Sequence, residues 1–549
     1  MPSVVTRMRK WGLAALIAGH AAMADTPASN STDILEPSSL DLPGVSIGTI
    51  AIINNNVFDL ANPAENKAFY RVANRLHIIT RKTVIEDQLL FQTGDPFSSQ
   101  ILEESERLLR SNRYIQSASV KPTRVENGVV EIDVVTSDAW SFQPELSLAR
   151  SGGVNKGAIA LREINLLGSG MGLEAQYRTE VDRSTYAVRF WDRNFGHSRY
   201  AFNTYLANNS DGHATHLQIA KPFYSLHSRD ARGLSVIDDN RVGSFYDRGE
   251  QVAEYNDESN QSTVWFGWSK GLIGDWTTRY TAGITYDEHR FSAVTDSIFT
   301  TVIIPEDRKF VYPFVGIELV ENKFEKTSNR DQINRAEDRF LGTRLSARLG
   351  LANSGLGSDR NAWIFRAAAQ TGFGSSKTSS LLLAAAVGGR IESGTARNAS
   401  LEVSAKYHRR QSDHRLFYVG MTGTFGSNLD LDQHLELGGD NGLRGYPLRY
   451  QTGEKRMLLT VEQRYFTDWF PFRLFNVGGA VFFDVGRAWD DDPVGPQVKD
   501  WLKDIGFGLR LGNTRSGLGR MTHIDIAFPL DGDSNIADVQ FLVSTRESF

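Results

Sequence analysis

From Trp140 onward the chain loses any helical period and falls into short runs in which apolar and polar residues alternate, separated by clusters of Gly, Asn, Asp and Ser. In Ile505, Phe507, Leu509 and Leu511 every odd position is apolar, while Asp504, Gly506, Gly508 and Arg510 are small or charged. The pattern recurs in Leu401, Val403, Ala405 and Tyr407 against Glu402, Ser404, Lys406 and His408. It appears again in Tyr280, Ala282, Ile284 and Tyr286 against Thr281, Gly283, Thr285 and Asp287. Successive side chains of a strand point to opposite faces, so these runs specify sheet with one apolar and one polar face. A soluble sandwich or propeller also alternates. Two features favour a closed barrel with lipid outside and a polar lumen inside: an N-terminal export signal, and aromatics at strand ends such as Tyr465, Phe466, Trp469 and Phe470, as in an interfacial girdle. Residues 141–549 number 409, which at about 16 strands leaves about 26 residues per strand and loop. The expected fold is mainly β, with a C-terminal transmembrane antiparallel β-barrel over 141–549 behind a small α+β domain over 44–137.

The export signal is Arg7, Arg9 and Lys10, then an apolar stretch from Trp11 to Ala22, then the small-x-small triplet Ala22-Met23-Ala24. That stretch is too short to cross about 30 Å of hydrocarbon as a helix, and His20 interrupts it. Residues 1–24 are read as a signal peptide. Its removal leaves 549 − 24 = 525 residues and, with three fewer cations, a net charge of 57 − 65 = −8. Residues 25–43, rich in Ser, Pro and Asn, read as a flexible leader. Cysteine is absent, which excludes a disulfide framework and a thiolate site. With 60 Lys+Arg against 65 Asp+Glu there is no basic surplus for a phosphate backbone, so nucleic acid is not an expected partner.

The 44–137 segment carries mixed signals. Val45–Ile53 is β-rich, and Lys82–Phe91 reads as a helix opened by a capping box, Thr83-Val-Ile-Glu86. A second helix follows Gly94-Asp95-Pro96 and places Ile101, Leu102, Ser105, Leu108 and Leu109 on one stripe. Two strands, Ile115–Lys121 and Val129–Val135, flank Asn127-Gly128, a dipeptide suited to a tight hairpin. Val130, Ile132 and Val134 alternate with Glu131 and Asp133. The order β-α-α-β-β resembles a POTRA domain, the polypeptide-transport-associated module of outer-membrane assembly machines. One copy is present, and the segment between Asn54 and His77 is longer than the module requires. The domain and the barrel are expected to have separate cores.

Two motifs make the resemblance specific. Gly438-Gly439-Asp440-Asn441-Gly442-Leu443-Arg444-Gly445-Tyr446 resembles the glycine-rich loop bearing the (V/L)-R-G-(F/Y) tetrad of the BamA/TamA superfamily, which also contains the two-partner-secretion transporters. Val481-Phe482-Phe483-Asp484-Val485-Gly486 resembles that superfamily's F-x-D-x-G strand. With Val481, Phe483 and Val485 toward lipid, Phe482, Asp484 and Gly486 face the lumen. The resemblance implies that the loop folds back into the barrel and that Arg444 pairs with Asp484. A guanidinium grips a carboxylate with two parallel bonds, and both charges are costly inside a barrel unless paired. Glycines let the loop approach the wall closely.

Departures from the pattern are informative. A single POTRA copy argues against the central assembly subunit, and the leader lacks the helical period of a two-partner plug helix. At the C-terminus Phe549 is the expected terminal aromatic, with Phe541 and Val543 in its register, but Thr545 and Glu547 make that face polar.

Several other signals are set aside. Gly168-Ser-Gly170-Met-Gly172 leads into a strand instead of a helix, so it reads as a barrel turn. His213 and His216 point to opposite faces of a strand, and Asp490, Asp491 and Asp492 read as a solvated loop. No G-x-S-x-G elbow is present, and the chain is not expected to be an enzyme or to need a cofactor.

The resemblance implies an outer-membrane protein, its POTRA-like domain in the periplasm, that inserts or helps to translocate polypeptide or lipid without nucleotide. Its expected partners are outer-membrane lipid, unfolded or extended polypeptides, and accessory assembly proteins. The first strand, near Phe142–Arg150, would meet the last, near Val539–Phe549, in a weak seam whose opened edge templates an incoming strand. A passive porin or structural barrel, and a dedicated two-partner-type secretion pore, remain the alternatives.

Overall fold

A computed structural model describes residues 36–328, 337–471, 475–491, 500–513, 521–534 and 536–546. The signal peptide, leader residues 25–35, Asp492, Glu547 and Phe549 lie outside the described residues.

The alternating region folds as a closed barrel of twenty strands, from Phe142–Ser151 to Gln540–Arg546, each antiparallel to its predecessor, with the last beside the first. Twenty replaces the expected sixteen because many connections are far shorter than the average assumed. Gly152-Gly153, Ser210-Asp211, Arg248-Gly249, Gly274-Asp275, Ser393-Gly394 and Asp413-His414 are each complete two-residue turns between strands. At Gly152-Gly153, Arg248-Gly249 and Ser393-Gly394 both residues have positive φ, as the twist-matched hairpin turn demands.

The alternation maps onto the two faces as read. Leu146 and Leu148 stand outward, 74% and 72% exposed, and Ile505, Phe507 and Leu509 form a similar outward row. Asp504 and Arg510, at either end of that row, are fully buried inside. An outward apolar face over an inward polar one is the arrangement a barrel in lipid requires. Of the expected aromatic girdle Tyr465 and Trp469 are exposed, but Phe466 packs inside against Leu416, Ala480 and Met521.

Ahead of the barrel, β1 (Ser46–Asn55), α1 (Ala68–Leu76), α2 (Lys82–Glu86), α3 (Ser99–Arg110), β2 (Ile115–Glu126) and β3 (Val129–Asp138) form an α+β unit. β3 is central, parallel to β1 and antiparallel to β2. Asn127 and Gly128 both take positive φ in the hairpin, and Val130, Ile132 and Val134 are buried against α2 and α3. α2 is shorter than the expected Lys82–Phe91. Leu89 and Phe91 turn into the core, and the Leu90 N–H donates to Ser105 Oγ at 3.1 Å instead of to a helical carbonyl. The capping box is not formed either. Arg81 is the N-cap without a side-chain bond, its N–H donates to Gly168 O at 2.9 Å, and its carbonyl accepts from Val84 at 3.0 Å.

The segment between Asn54 and His77 builds its own small core. Val57, Phe58 and Tyr70 pack with Trp140 at the entrance to the barrel, and the Asn74 amide bridges the N–H and C=O of Phe58. Leader residues Pro37–Leu40 form one 3₁₀ turn, with Leu40 against the main core.

Domain and barrel do not keep separate cores. Ile164 and Trp191, from the barrel, complete the cluster around Ile47, Leu102 and Val134. Successive loops at that end dock on the domain: His197 to Asp87 at 2.8 Å, Arg199 to Leu89 O at 2.6 Å, the Leu226 N–H to Glu104 at 2.7 Å, and Asp338 to Arg110 at 2.6 Å. The turn at Gly168 and Gly170 joins this contact, so that glycine cluster is a barrel turn with a docking role.

Candidate functional site

The connection between the strands Arg415–Ser427 and Lys455–Phe466 enters the barrel as a hairpin, clamped by a short ladder of Leu435–Leu437 against Gln451–Gly453. Its tip is a tight coil. The Leu443 N–H donates to Gly438 O at 3.0 Å, the Gly439 N–H to Pro447 O at 3.0 Å, and the Asn441 amide to Glu436 O at 2.8 Å. Such closeness leaves no room at Gly439, where a Cβ would come within 2.4 Å of Tyr446 O.

Leu443, Arg444, Gly445 and Tyr446 each have a distinct attachment to the wall. Leu443 is buried with Leu437, Tyr450, Ala488 and Leu502. Arg444 Nε and Nη2 donate to the two oxygens of Asp484 at 2.7 and 3.0 Å, so the expected pair is formed in fork geometry. Nη1 donates to Glu462 Oε1 at 3.0 Å, and the guanidinium carbon lies 3.4 Å from the centre of the Phe482 ring. Phe482 thus serves as a π-face beneath the cation. The Gly445 N–H donates to Asp504 Oδ2 at 3.0 Å; a Cβ there would come within 2.7 Å of Asp504 Cβ. The Tyr446 hydroxyl lies 2.7 Å from Lys503 O and 2.9 Å from Asp531 O, and accepts from the Lys503 N–H at 3.1 Å. Gly486 faces the same hairpin: a Cβ would sit 3.0 Å from Leu437.

Electrostatics explain why the hairpin stays in. Burial alone would lower the Arg444 pKa, but Asp484 and Glu462 outweigh it and hold the guanidinium above its ordinary value. Burial pushes the Tyr446 phenol up to about 12, so it remains a neutral donor. Around them the wall continues the network, with Arg464 on Glu462 at 2.9 Å and Arg510 on Asp525.

On its other side the same hairpin reaches the first strands. Leu448 N would lie 2.2 Å from a Cβ on Gly152, Lys156 pairs with Asp440 at 3.4 Å, and Arg449 forks onto Asp182 at 2.8 and 2.6 Å. It therefore spans from wall strands on one side of the barrel closure to strands on the other.

That closure is the weakest joint of the barrel. Among the described residues the last strand and the first form a single register pair, Val543 with Arg150. Every residue of Phe142–Ser151 is paired with the following strand, and every residue of Gln540–Arg546 with the preceding one. Backbone groups of Phe142–Ala149 thus face a seam without a partner strand among the described residues. Phe541 and Val543 point outward in the expected register, while Phe549, the third residue of that signal, lies outside the described residues. Behind the seam lies a polar lumen cavity of ≈ 570 Å³, lined by Glu145, Arg162, Glu174, Arg178 and Arg546 among others.

Sequence reasoning did not identify Glu462 or Asp504 as partners of the tetrad, nor Arg449 and Asp182 as the far anchor. Glu462 carried a usable signal, since it shares the lumen face of its strand with Arg464 while Leu459 and Val461 take the other. No comparable signal marks Asp182. The sites at His213/His216 and Asp490/Asp491 do not assemble: His213 pairs with Asp238, Asp490 accepts from the Glu454 N–H, and Lys455 holds Asp491. No cluster of potential metal ligands occurs among the described residues.

No protein-family model matches this chain, and no curated protein sequence matches it. Among solved structures it is similar to BamA from Haemophilus ducreyi lacking POTRA domains 1–3, with 12% identity, 91% of this chain and 85% of that chain covered, and a TM-score of 0.38. It is also similar to CdiB from Escherichia coli, with 12% identity, coverage of 91% and 76%, and a TM-score of 0.45. CdiB from Acinetobacter baumannii gives 12% identity, coverage of 91% and 73%, and a TM-score of 0.42.

Proposed function

We propose that this chain is an outer-membrane barrel that inserts or helps to translocate extended polypeptide or lipid through the seam between its first and last strands, with residues 44–137 in the periplasm. The observation that carries this reading is the isolated pair Val543–Arg150, among the described residues, in a barrel whose other neighbouring strands share seven or more register pairs. An edge of unpaired N–H and C=O groups can pair with an incoming strand, and no nucleotide or catalytic group is needed for that exchange. The Arg444 hairpin supports the same reading, because it braces both sides of the closure and occupies lumen that a passive pore would keep clear.

The test uses a cysteine pair in a chain that has no other cysteine. Ala149 and Ser544 flank the Val543–Arg150 pair by one step and line the same lumen cavity. Oxidising Ala149→Cys/Ser544→Cys should abolish client insertion or passage in cells and leave the barrel folded; reduction should restore activity. Full activity of the locked barrel would remove the seam from the mechanism.

A further inference from the structure

Helix α1 presents an apolar stripe that no described part of the protein covers. Phe69, Val72 and Leu76, spaced i, i+3 and i+7, lie on one face and are 63%, 53% and 70% exposed. The opposite face holds Tyr70 in the small core beside Trp140. Ile78 and Ile79 extend the exposed stripe past the helix end. A second observation gives the stripe its surroundings. Ile79 O would lie 2.4 Å from a Cβ on Gly168, and exposed Leu167 stands in that same barrel turn. Above the turn run the outward residues Ile159 and Leu161 of the second barrel strand. The stripe is therefore continuous with the outward apolar face of the wall, beside the first strand.

Charge supplies the third observation. Lys67, Arg71, Arg75, Arg81 and Lys82 are all exposed, and no acidic residue occurs between Glu65 and Glu86, in a chain whose net charge is −5. On the helix Arg71 and Arg75 flank the apolar stripe on one side. An apolar stripe edged by cations fits the boundary of an anionic phospholipid layer, where apolar side chains enter the acyl region and cations meet phosphates.

We infer that α1 and Ile78–Ile79 form an interfacial anchor that lies in the anionic phospholipid surface on the domain's side of the membrane, next to the first strand of the seam. This rests on the reading of the barrel as membrane-spanning. Anchoring there seats the edge of the docked domain in the headgroup layer beside the seam, so an extended client held on the domain is delivered to the free edge.

The full-length protein is reconstituted in phosphatidylethanolamine–phosphatidylglycerol vesicles containing a spin-labelled lipid, with bimane on single cysteines at Val72→Cys, Leu148→Cys or Arg124→Cys. Leu148 reports the barrel's outward face, and Arg124 an exposed site on β2. The expected result is about twofold quenching at Val72, as for an interfacial side chain, with strong quenching at Leu148 and none at Arg124. Adding Arg71→Glu and Arg75→Glu, or omitting phosphatidylglycerol, should return Val72 toward the Arg124 level. Quenching at Leu148 with none at Val72 overturns the anchor and leaves the barrel reading standing. Absence of quenching at Leu148 overturns the membrane reading and the anchor with it.

Discussion

The seam and the wall formed by Asp230–Asp247, Glu250–Ile273 and Trp276–Ser292 are built from the same alternating pattern and close in opposite ways. Those three strands are 18, 24 and 17 residues long, and two-residue turns join them. Each residue of Asp230–Asp247 has a partner on the following strand. At the seam, strands of 10 and 7 residues share one pair among the described residues. Apolar alternation is present in both places, in Leu146 and Leu148 as in Ile284 and Tyr286, so burial preference does not distinguish them. Strand length, the turn chemistry that sets register, and the polar outward residue Thr545 do. A barrel can thus leave one joint sparsely paired while ordinary hairpins hold the rest, and the Arg444 hairpin spans that joint from inside.

Removing the brace gives the largest expected change. Arg444→Ala leaves Asp484 buried without the cation that forks onto it and Glu462 with Arg464 alone, a loss of about 3–5 kcal/mol for a broken buried pair. The hairpin 438–450 should become protease-sensitive while the long-stranded wall stays folded, as limited proteolysis followed by mass mapping would record. Arg444→Lys keeps the charge without the fork and should fall between. A resistant Arg444→Ala hairpin would mean that Leu443 and Tyr446 hold it unaided.

Excising residues 44–137 is next. Ile164 would lose its burial in the domain core and Trp191 its partial packing against it, and fully burying a side chain such as Ile164 is worth about 1.5–3 kcal/mol. The truncated barrel should fold in detergent but lose its heat-resistant mobility at a lower temperature than the full chain. An unchanged transition would mean that the docking adds nothing to the wall.

The far anchor is smaller. Asp182→Asn weakens the Arg449 fork, a partly exposed pair worth about 1 kcal/mol. Burial raises the Asp182 pKa, but hydrogen bonds from Arg449 and Tyr246 outweigh it and hold the carboxyl below its usual range. A depressed folded-state pKa adds stability above the unfolded value of about 3.9 and loses it as pH falls through the folded one. Hairpin protection should therefore decline on acidification below about pH 4 in the parent and less steeply in Asp182→Asn. Equal slopes would exclude this carboxylate as the source.

What was legible in the sequence was local or periodic. Alternation at Ile505–Leu511 gave the faces and Asn127-Gly128 the hairpin, while the central ion pair of Arg444 with Asp484 was implied by the resemblance that the tetrad and the Phe482-Phe483-Asp484 strand carry, not by spacing. Strand number was not legible, because turns such as Ser210-Asp211 and Gly274-Asp275 resemble positions inside a long polar-faced strand. Contacts joining distant parts of the chain left little mark: Arg449 meets Asp182, Glu104 meets Leu226, and Ile164 enters a core made by residues 47–134. Such pairings depend on how the closed barrel places its loops, which no window of residues encodes. α2 shows the opposite failure, since the local Thr83–Glu86 signal yielded to docking of Arg81 on Gly168.

Amide hydrogen exchange on the full-length protein in nanodiscs compares the two regions most directly. With one side of Phe142–Ala149 unpaired among the described residues, alternate amides of that strand should exchange within the fast, locally open regime, while those of Glu250–Ile273 that bond to both neighbours resist until global unfolding. Uniform protection of Phe142–Ala149 at the level of the long strands would contradict a weak seam, and with it the proposed route for clients.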